Sequence, residues 1–268
     1  AIPIMNPLTD EYPLIRTTLL TSVLENAARN VARKNMDLRL FDIAPVFFPK
    51  ALPVTELAHE KLMVAGLITG RRNPIAWDTD NAQVDFYDMK GILERFLTAI
   101  GVQKYTVERG AHFAMHPGKT AFFKKGRDVI ATLGEIHPTV AANFGIAQSV
   151  YVFEMEVDTL LRYRKKKSTI TALPKYPAST RDLAILVDAG LSTAEIERVI
   201  AKKGGKFFRG ATLFDVYMGK QVEHGKKSMA FHLHFQSDDK TLTDEEVDAA
   251  FADILEAAQS QLRAQLRA

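Results

Sequence analysis

Residues 213–235, LFDVYMGKQVEHGKKSMAFHLHF, hold the side chains best suited to contacting a flat, polar ligand. Two apolar runs flank a loop rich in Gly, Lys and His. A strand alternates its faces with period two. In the second run Met229, Phe231, Leu233 and Phe235 share one face, and Ser228, Ala230, His232 and His234 take the other. In the first run Phe214, Val216 and Met218 fall together, opposite Asp215 and Tyr217. The pattern predicts a hairpin with one buried face and one face kept low, polar and partly aromatic. An acidic acceptor, a hydroxyl and residues small enough for a ring to approach the backbone would make a shallow base-reading surface. The same alternation also describes an ordinary half-exposed sheet.

Around this hairpin Lys220, Lys226 and Lys227 border the polar face, where phosphate contacts would add affinity without sequence choice. Tyr217 offers a ring worth roughly 1–3 kcal/mol to a stacked base, or else it covers neighbouring strands. The basic run of Arg162, Arg164, Lys165, Lys166 and Lys167 reads as a solvated linker or as further phosphate contacts. Other candidates are weaker. HPGKT (116–120) lacks the upstream glycine of a phosphate loop, since position 113 is Phe. HFAMH (112–116), with Glu135 and His137 further on, has a metal-like spacing without the convergence a zinc site needs. No Gly-x-Ser-x-Gly elbow is present for a serine hydrolase. A metal-dependent enzyme is therefore the least favoured reading, and no catalytic or metal-binding residue is expected.

The totals are compatible with a nucleic-acid contact that is local. The chain has 268 residues, enough for two ordinary domains, with 47% hydrophobic and 25% charged residues. Its net charge of +3 is too small to mark a nucleic-acid binder by bulk electrostatics. It has no cysteine, which removes disulfides, thiolate metal sites and a Cys nucleophile, and fits a reducing cytoplasm. No apolar run approaches a membrane span, and AIPIMNPLTD does not read as a signal peptide. A start without Met, directly on turn residues, predicts a piece of a longer protein.

The elements that must position these groups fall into two halves. Residues 14–35 predict a long amphipathic helix with Leu19, Leu20, Val23, Leu24, Ala27 and Val31 on one stripe. Residues 39–48 and 61–70 read as buried strands, and 84–101 as a second helix with Phe86, Met89, Leu93, Phe96, Leu97 and Ile100 inward. A hairpin at 120–136, a short helix after His137-Pro138 and a strand at 151–157 complete an α+β domain, 1–160, built on an antiparallel sheet. Residues 161–175 are basic and then Pro-punctuated, as a linker would be. Residues 176–268 run strand, helix, strand, strand, helix, strand, the ferredoxin-like βαββαβ order. Ser192 with Glu195, and Thr243 with Glu246, make capping boxes for its helices. Helices on one sheet face leave the other open, with Ala184 beside Asp215, Tyr217, Ser228 and Ala230.

KYPASTRDLAILV, LFDVYMG, GKKSMAFHLHF, KTLTDEEV and the terminal LR together resemble the ferredoxin-fold anticodon-binding domain that closes the β subunit of bacterial phenylalanyl-tRNA synthetases. NPLTDEYPLIRTTLLTSVLENAARN, LRLFDIAPVF, VDFYDMKGILE, HPGKTAFF and LGEIHPTV are similar to that subunit's catalytic-like domain. The resemblance spans essentially the whole chain, in order. It implies a class II synthetase fold without catalytic activity, packed on an α subunit that holds the active site in an α2β2 enzyme. ATP and Mg2+ would serve that enzyme and not be bound by this chain. APVF runs into FPKALP (48–53) with none of the Arg-x-Glu of a working class II site, as an inactive domain requires. The family's amino-terminal modules are absent from this sequence, so editing is not expected of it. The resemblance further implies tRNA-Phe as partner, with anticodon contacts at Ala184, Asp215, Ser228 and Arg267, although QLRAQLRA also offers Arg263. The alternative is a protein-interaction module that keeps the fold without binding RNA.

Overall fold

Neighbouring residues of a strand face opposite ways, so a sheet whose strands are apolar at every position needs cover on both sides. The sheet of the first half carries buried apolar groups on both faces and is covered on both, whereas that of the second is covered on one. The computed structural model describes residues 2–165, 173–219 and 221–266. The chain divides into two units, residues 1–168 and 169–268.

The first unit opens with a short ladder of β1 (Ile2–Pro3) on β2 (Leu14–Ile15), then α1 (Leu20–Ala32). Strands β3 (Leu38–Phe48) and β4 (His59–Thr69) lead to α2 (Phe86–Ala99). Strands β5 (Thr106–Arg109), β6 (Met115–Lys125) and β7 (Asp128–Ile136) precede the short α3 (Pro138–Asn143). Strand β8 (Val150–Glu156) runs into α4 (Val157–Tyr163). One antiparallel sheet results, in the order β3-β4-β8-β7-β6-β5. On one face Leu20, Val23 and Leu24 of α1 meet Val46, Leu67 and Val152. On the other, Met89, Leu93 and Leu97 of α2 meet Ile68, Phe123 and Phe153. Val152 and Phe153, adjacent in β8, thus belong to different cores.

The sequence predicts a helix over 14–35, and the structure shortens it at both ends. Leu14 and Ile15 pair with Ile2 and Pro3 instead. The helix starts where Glu154, from β8, accepts hydrogen bonds from the Leu19 backbone N–H (2.7 Å) and the Thr18 hydroxyl (2.9 Å). Leu19 has no side chain to cap with, so this carboxylate joins the Thr18 hydroxyl, which accepts the Leu20 N–H at 3.1 Å, in satisfying the helix start. Lys34, with φ of 68°, ends the run. Helix α4 was hidden by its length, seven residues, and extends past the boundary read at 160. Strand β5 was also missed. Strand β6 starts ahead of the expected hairpin, and its ladder is irregular between Met115 and Thr120, where Pro117 has no N–H to donate.

The second unit contains β9 (Ser179–Asp188), α5 (Thr193–Lys203), β10 (Phe208–Tyr217), β11 (Lys226–Phe235), α6 (Asp244–Leu262) and β12 (Gln265–Leu266). Their antiparallel order, β10-β11-β9-β12, is that of a ferredoxin-like fold. Both expected capping boxes form. Leu183, Ile185, Val187, Met229, Phe231 and Leu233 are buried against Ile196 and Ile200 of α5 and Val247 and Ile254 of α6. Arg181 ties the start of β9 to α6 through Asp244 and Asp248, both at 2.8 Å.

Burial raises the Glu154 carboxyl above the ordinary range, against the bonds from Leu19 and Thr18 that favour its charged form. A raised folded-state value means that its contribution to stability is full at low pH and declines as pH rises through that value. Glu154→Ala should lower stability by about 1–3 kcal/mol, because the Leu19 N–H loses its partner. Glu154→Gln keeps an acceptor and has no charge to bury. In denaturation at several pH values it should gain on the wild type as pH increases.

Candidate nucleic-acid interface

Ladder partners stand side by side on one sheet face, so the register of the second unit defines its open side row by row. Asp215, Ala230 and Ala184 form the central row. Tyr217, Ser228, Leu186 and Gln265 form the next towards the β10–β11 loop. Thr212, His232 and Asp182 form the row on the other side. Successive rows lie roughly 7 Å apart. The middle of the face is floored by two alanine methyls, with rings and longer side chains rising on both sides.

One sequence expectation is overturned. Phe214 was placed with Val216 on the buried face, but the ladder passes from Leu213–Phe231 to Asp215–Ala230, leaving Phe214 as an extra residue. This β-bulge puts Phe214 and Asp215 on the same side. The Phe214 ring stacks on His232 with centroids 4.0 Å apart and planes at 15°, and the residue is 51% exposed. The imidazole is itself held, its Nδ1 lying 2.6 Å from Asp182 Oδ1. A signal was present in the sequence: Ala211 and Leu213, at a spacing of two, are followed by Val216 at a spacing of three.

The expected contact residues separate. Ala184 and Asp215 share the central row, and Tyr217 stands beside them. Ser228 is on the same face but only 3% exposed, so a base reaches its hydroxyl only if covering groups move. Lys226 shares this face and pairs with Glu223 at 2.7 Å. Lys227 does not: it falls on the helix side with Met229, and its ammonium donates to the Leu191 carbonyl at 2.5 Å, just ahead of α5. That corrects its reading as a phosphate contact. Lys220 and Arg267 lie outside the described residues, as do Lys166 and Lys167. Arg263 closes α6 in the left-handed region. In the basic run, Arg162 belongs to α4 and bonds Asp128 at 3.1 Å. Among the described residues the face therefore offers shape, rings and acceptors more than positive charge.

In the first unit the three histidines of the metal-like spacing are occupied. The Nδ1 atoms of His112, His116 and His137 accept backbone N–H groups from Ala114, Gly118 and Thr139 at 3.0–3.3 Å. An accepting Nδ1 puts the neutral ring's proton on Nε2, leaving no free lone pair for a metal. Among the described residues no three His, Asp or Glu side chains converge as ligands. Burial pushes the Glu135 carboxyl up, but bonds from Lys119, Ser149 and Tyr151 outweigh it and hold the group below its ordinary value. Glu135 is thus a structural anion: its contribution to stability holds above the unfolded-state value and is lost as pH falls through the lowered one. Among the described residues no helix is long and apolar enough to cross a membrane.

Comparison with known proteins gives this arrangement a class and then a family. Residues 174–267 match the ferredoxin-fold anticodon binding domain, and residues 1–157 match the phenylalanyl tRNA synthetase beta chain CLM domain. The chain belongs to the phenylalanyl tRNA synthetase beta chain family. It is 39% identical over 267 residues to a phenylalanine-tRNA ligase beta subunit of Syntrophotalea carbinolica, covering 99% of this chain and 33% of the relative. The same-named subunit of Geobacter sulfurreducens is 37% identical, with 99% and 33% covered. That of Clostridium acetobutylicum is also 37% identical, with 99% and 32% covered. The chain therefore spans about a third of the length of these relatives.

The two neighbouring lysines on β11 should behave differently. Lys227→Ala should lower thermal stability by about 1–2 kcal/mol through the lost carbonyl contact and leave RNA affinity unchanged. Thermal melts and RNA titrations on the same samples separate the two effects.

Proposed function

We propose that this chain is the non-catalytic, carboxy-terminal part of a phenylalanine-tRNA ligase beta subunit, and that its second unit reads the anticodon of tRNA-Phe. The observation that carries the reading is the central row of Asp215, Ala230 and Ala184 on a sheet face that neither helix of the unit covers. An unpaired base lying over the alanines has Asp215 within reach of its edge and rings beside it. Lys226, at the margin of the face, would add a phosphate contact; by its place in the sequence Lys220 would add another, and by the family resemblance Arg267 would add a base contact.

The first unit would serve as a class II-type scaffold for the α subunit of an α2β2 enzyme. Phe41 and Ile43 on β3 are exposed, and Ile43 with Leu62 borders an apolar groove of about 550 Å³ shared with α2 and α4. Exposed apolar surface of this kind favours a protein partner. ATP and Mg2+ would be held by the α subunit, where the chemistry takes place, in the cytoplasm. A second reading, a protein-interaction module without RNA binding, draws support from the sparse charge of the open face among the described residues and from the burial of Ser228.

Titration of the 268-residue chain with tRNA-Phe and an anticodon-substituted copy, at two salt concentrations, decides between them. Tighter binding to the natural anticodon that persists at higher salt is expected. Asp215→Ala should cut that preference about tenfold, the worth of one hydrogen bond to a charged group. Equal binding abolished by salt would leave phosphate contacts only, and no binding would favour the interaction module.

A further inference from the structure

We propose that Phe214 is a stacking platform for one unpaired RNA base, with His232 as its positioning residue; the inference rests on the RNA-binding reading of the open face. Three observations carry it. The bulge in β10 takes Phe214 out of the core and sets it beside Asp215. One face of the ring is fixed by the His232 imidazole, 4.0 Å away and nearly parallel. The residue is still 51% exposed, so its outer face is open.

An apolar ring held open to water is costly unless something covers it, and a nucleobase has the matching flat surface. His232 supplies the rigidity. Its Nδ1 is anchored to Asp182 at 2.6 Å, and Asp182 is in turn fixed by its place in the β9–β11 ladder. The sequence Asp182, His232, Phe214, base forms a layered support in which only the last member comes from the ligand. A single-stranded base is the chemistry that fits: a duplex keeps its base faces covered, whereas a splayed loop presents them.

Stacking on Phe214 adds affinity without sequence choice, because every base has a π-face. Asp215, in the neighbouring position, contributes choice. The two roles predict different phenotypes. Phe214→Leu should weaken binding of an RNA hairpin carrying the phenylalanine anticodon by roughly 5- to 150-fold, and weaken an anticodon-substituted hairpin by the same factor. With an abasic nucleotide placed at each loop position in turn, Phe214→Leu should lose its effect at one position and keep it at the others. His232→Leu should weaken binding by a smaller factor, and His232→Tyr, which restores a planar ring, should recover it.

A direct readout is available because the chain has one tryptophan, Trp77, in the other unit. In a Trp77→Phe background, Phe214→Trp should keep the affinity, and its indole fluorescence should be quenched as the hairpin is added. Wild-type affinity in Phe214→Leu, or additivity with abasic substitution at every loop position, would overturn the proposal. If Asp215→Ala still lowers anticodon preference in that case, the open-face reading survives and only the platform fails. A hairpin that does not bind the wild-type chain overturns both.

Discussion

Everything in this chain depends on which faces of its two large sheets the helices cover. The six-stranded sheet is apolar on both sides and spends both on packing, with α1 on one face and α2 and α4 on the other. The four-stranded sheet sends its large side chains to one side only, where α5 and α6 cover them. The remaining face holds alanines, short polar groups and a few rings. Opposite treatment of the second face thus produces, from the same strand geometry, one sheet covered on both sides and one with an open face.

Charge plays a different part in each unit. In the first, two carboxylates within the sheet are pushed in opposite directions by their surroundings. Glu154 is raised because burial outweighs two neutral donors, while Glu135 is lowered because an ammonium and two hydroxyls outweigh burial. One caps a helix that begins far away in sequence; the other ties β7 to Lys119 within β6 and to Ser149, just ahead of β8. In the second unit many cations are engaged within the fold: Arg181 on α6, Arg209 on Asp238, Lys227 on Leu191. A balance this close to neutral leaves the unit little long-range electrostatic attraction of its own.

Much of the fold was legible because its signals are local. Ser192 and Thr243 announce their helices through reciprocal bonds three residues on, and the stripes of α2 and α6 repeat at helical spacing. The losses were long-range or one residue wide. Residues 14–35 looked like one helix because nothing nearby reveals that Glu154 will fix the start at Leu19. The seven residues of α4 span too few turns for periodicity to emerge. Lys227 was readable and missed: Met229 is two positions away and buried, so the same parity sends Lys227 to the helix side. Ala184 and Asp215 followed the alternation, whereas Phe214 broke it, since hydropathy alone cannot distinguish a core aromatic from one displaced by a bulge.

The bulge has a consequence for how this surface can change over generations. If Phe214 is removed, Leu213, Asp215, Val216 and Tyr217 alternate without interruption, and Asp215 still stands opposite Ala230. The aromatic ring is therefore an insertion into an otherwise regular strand, independent of the core packing beneath it. Loss or gain of a single codon at this point would erase or create a ligand-facing group while every buried position keeps its neighbour. Length variation in an edge strand, usually regarded as damage, here becomes a route by which an exposed sheet face is edited without renegotiating the fold.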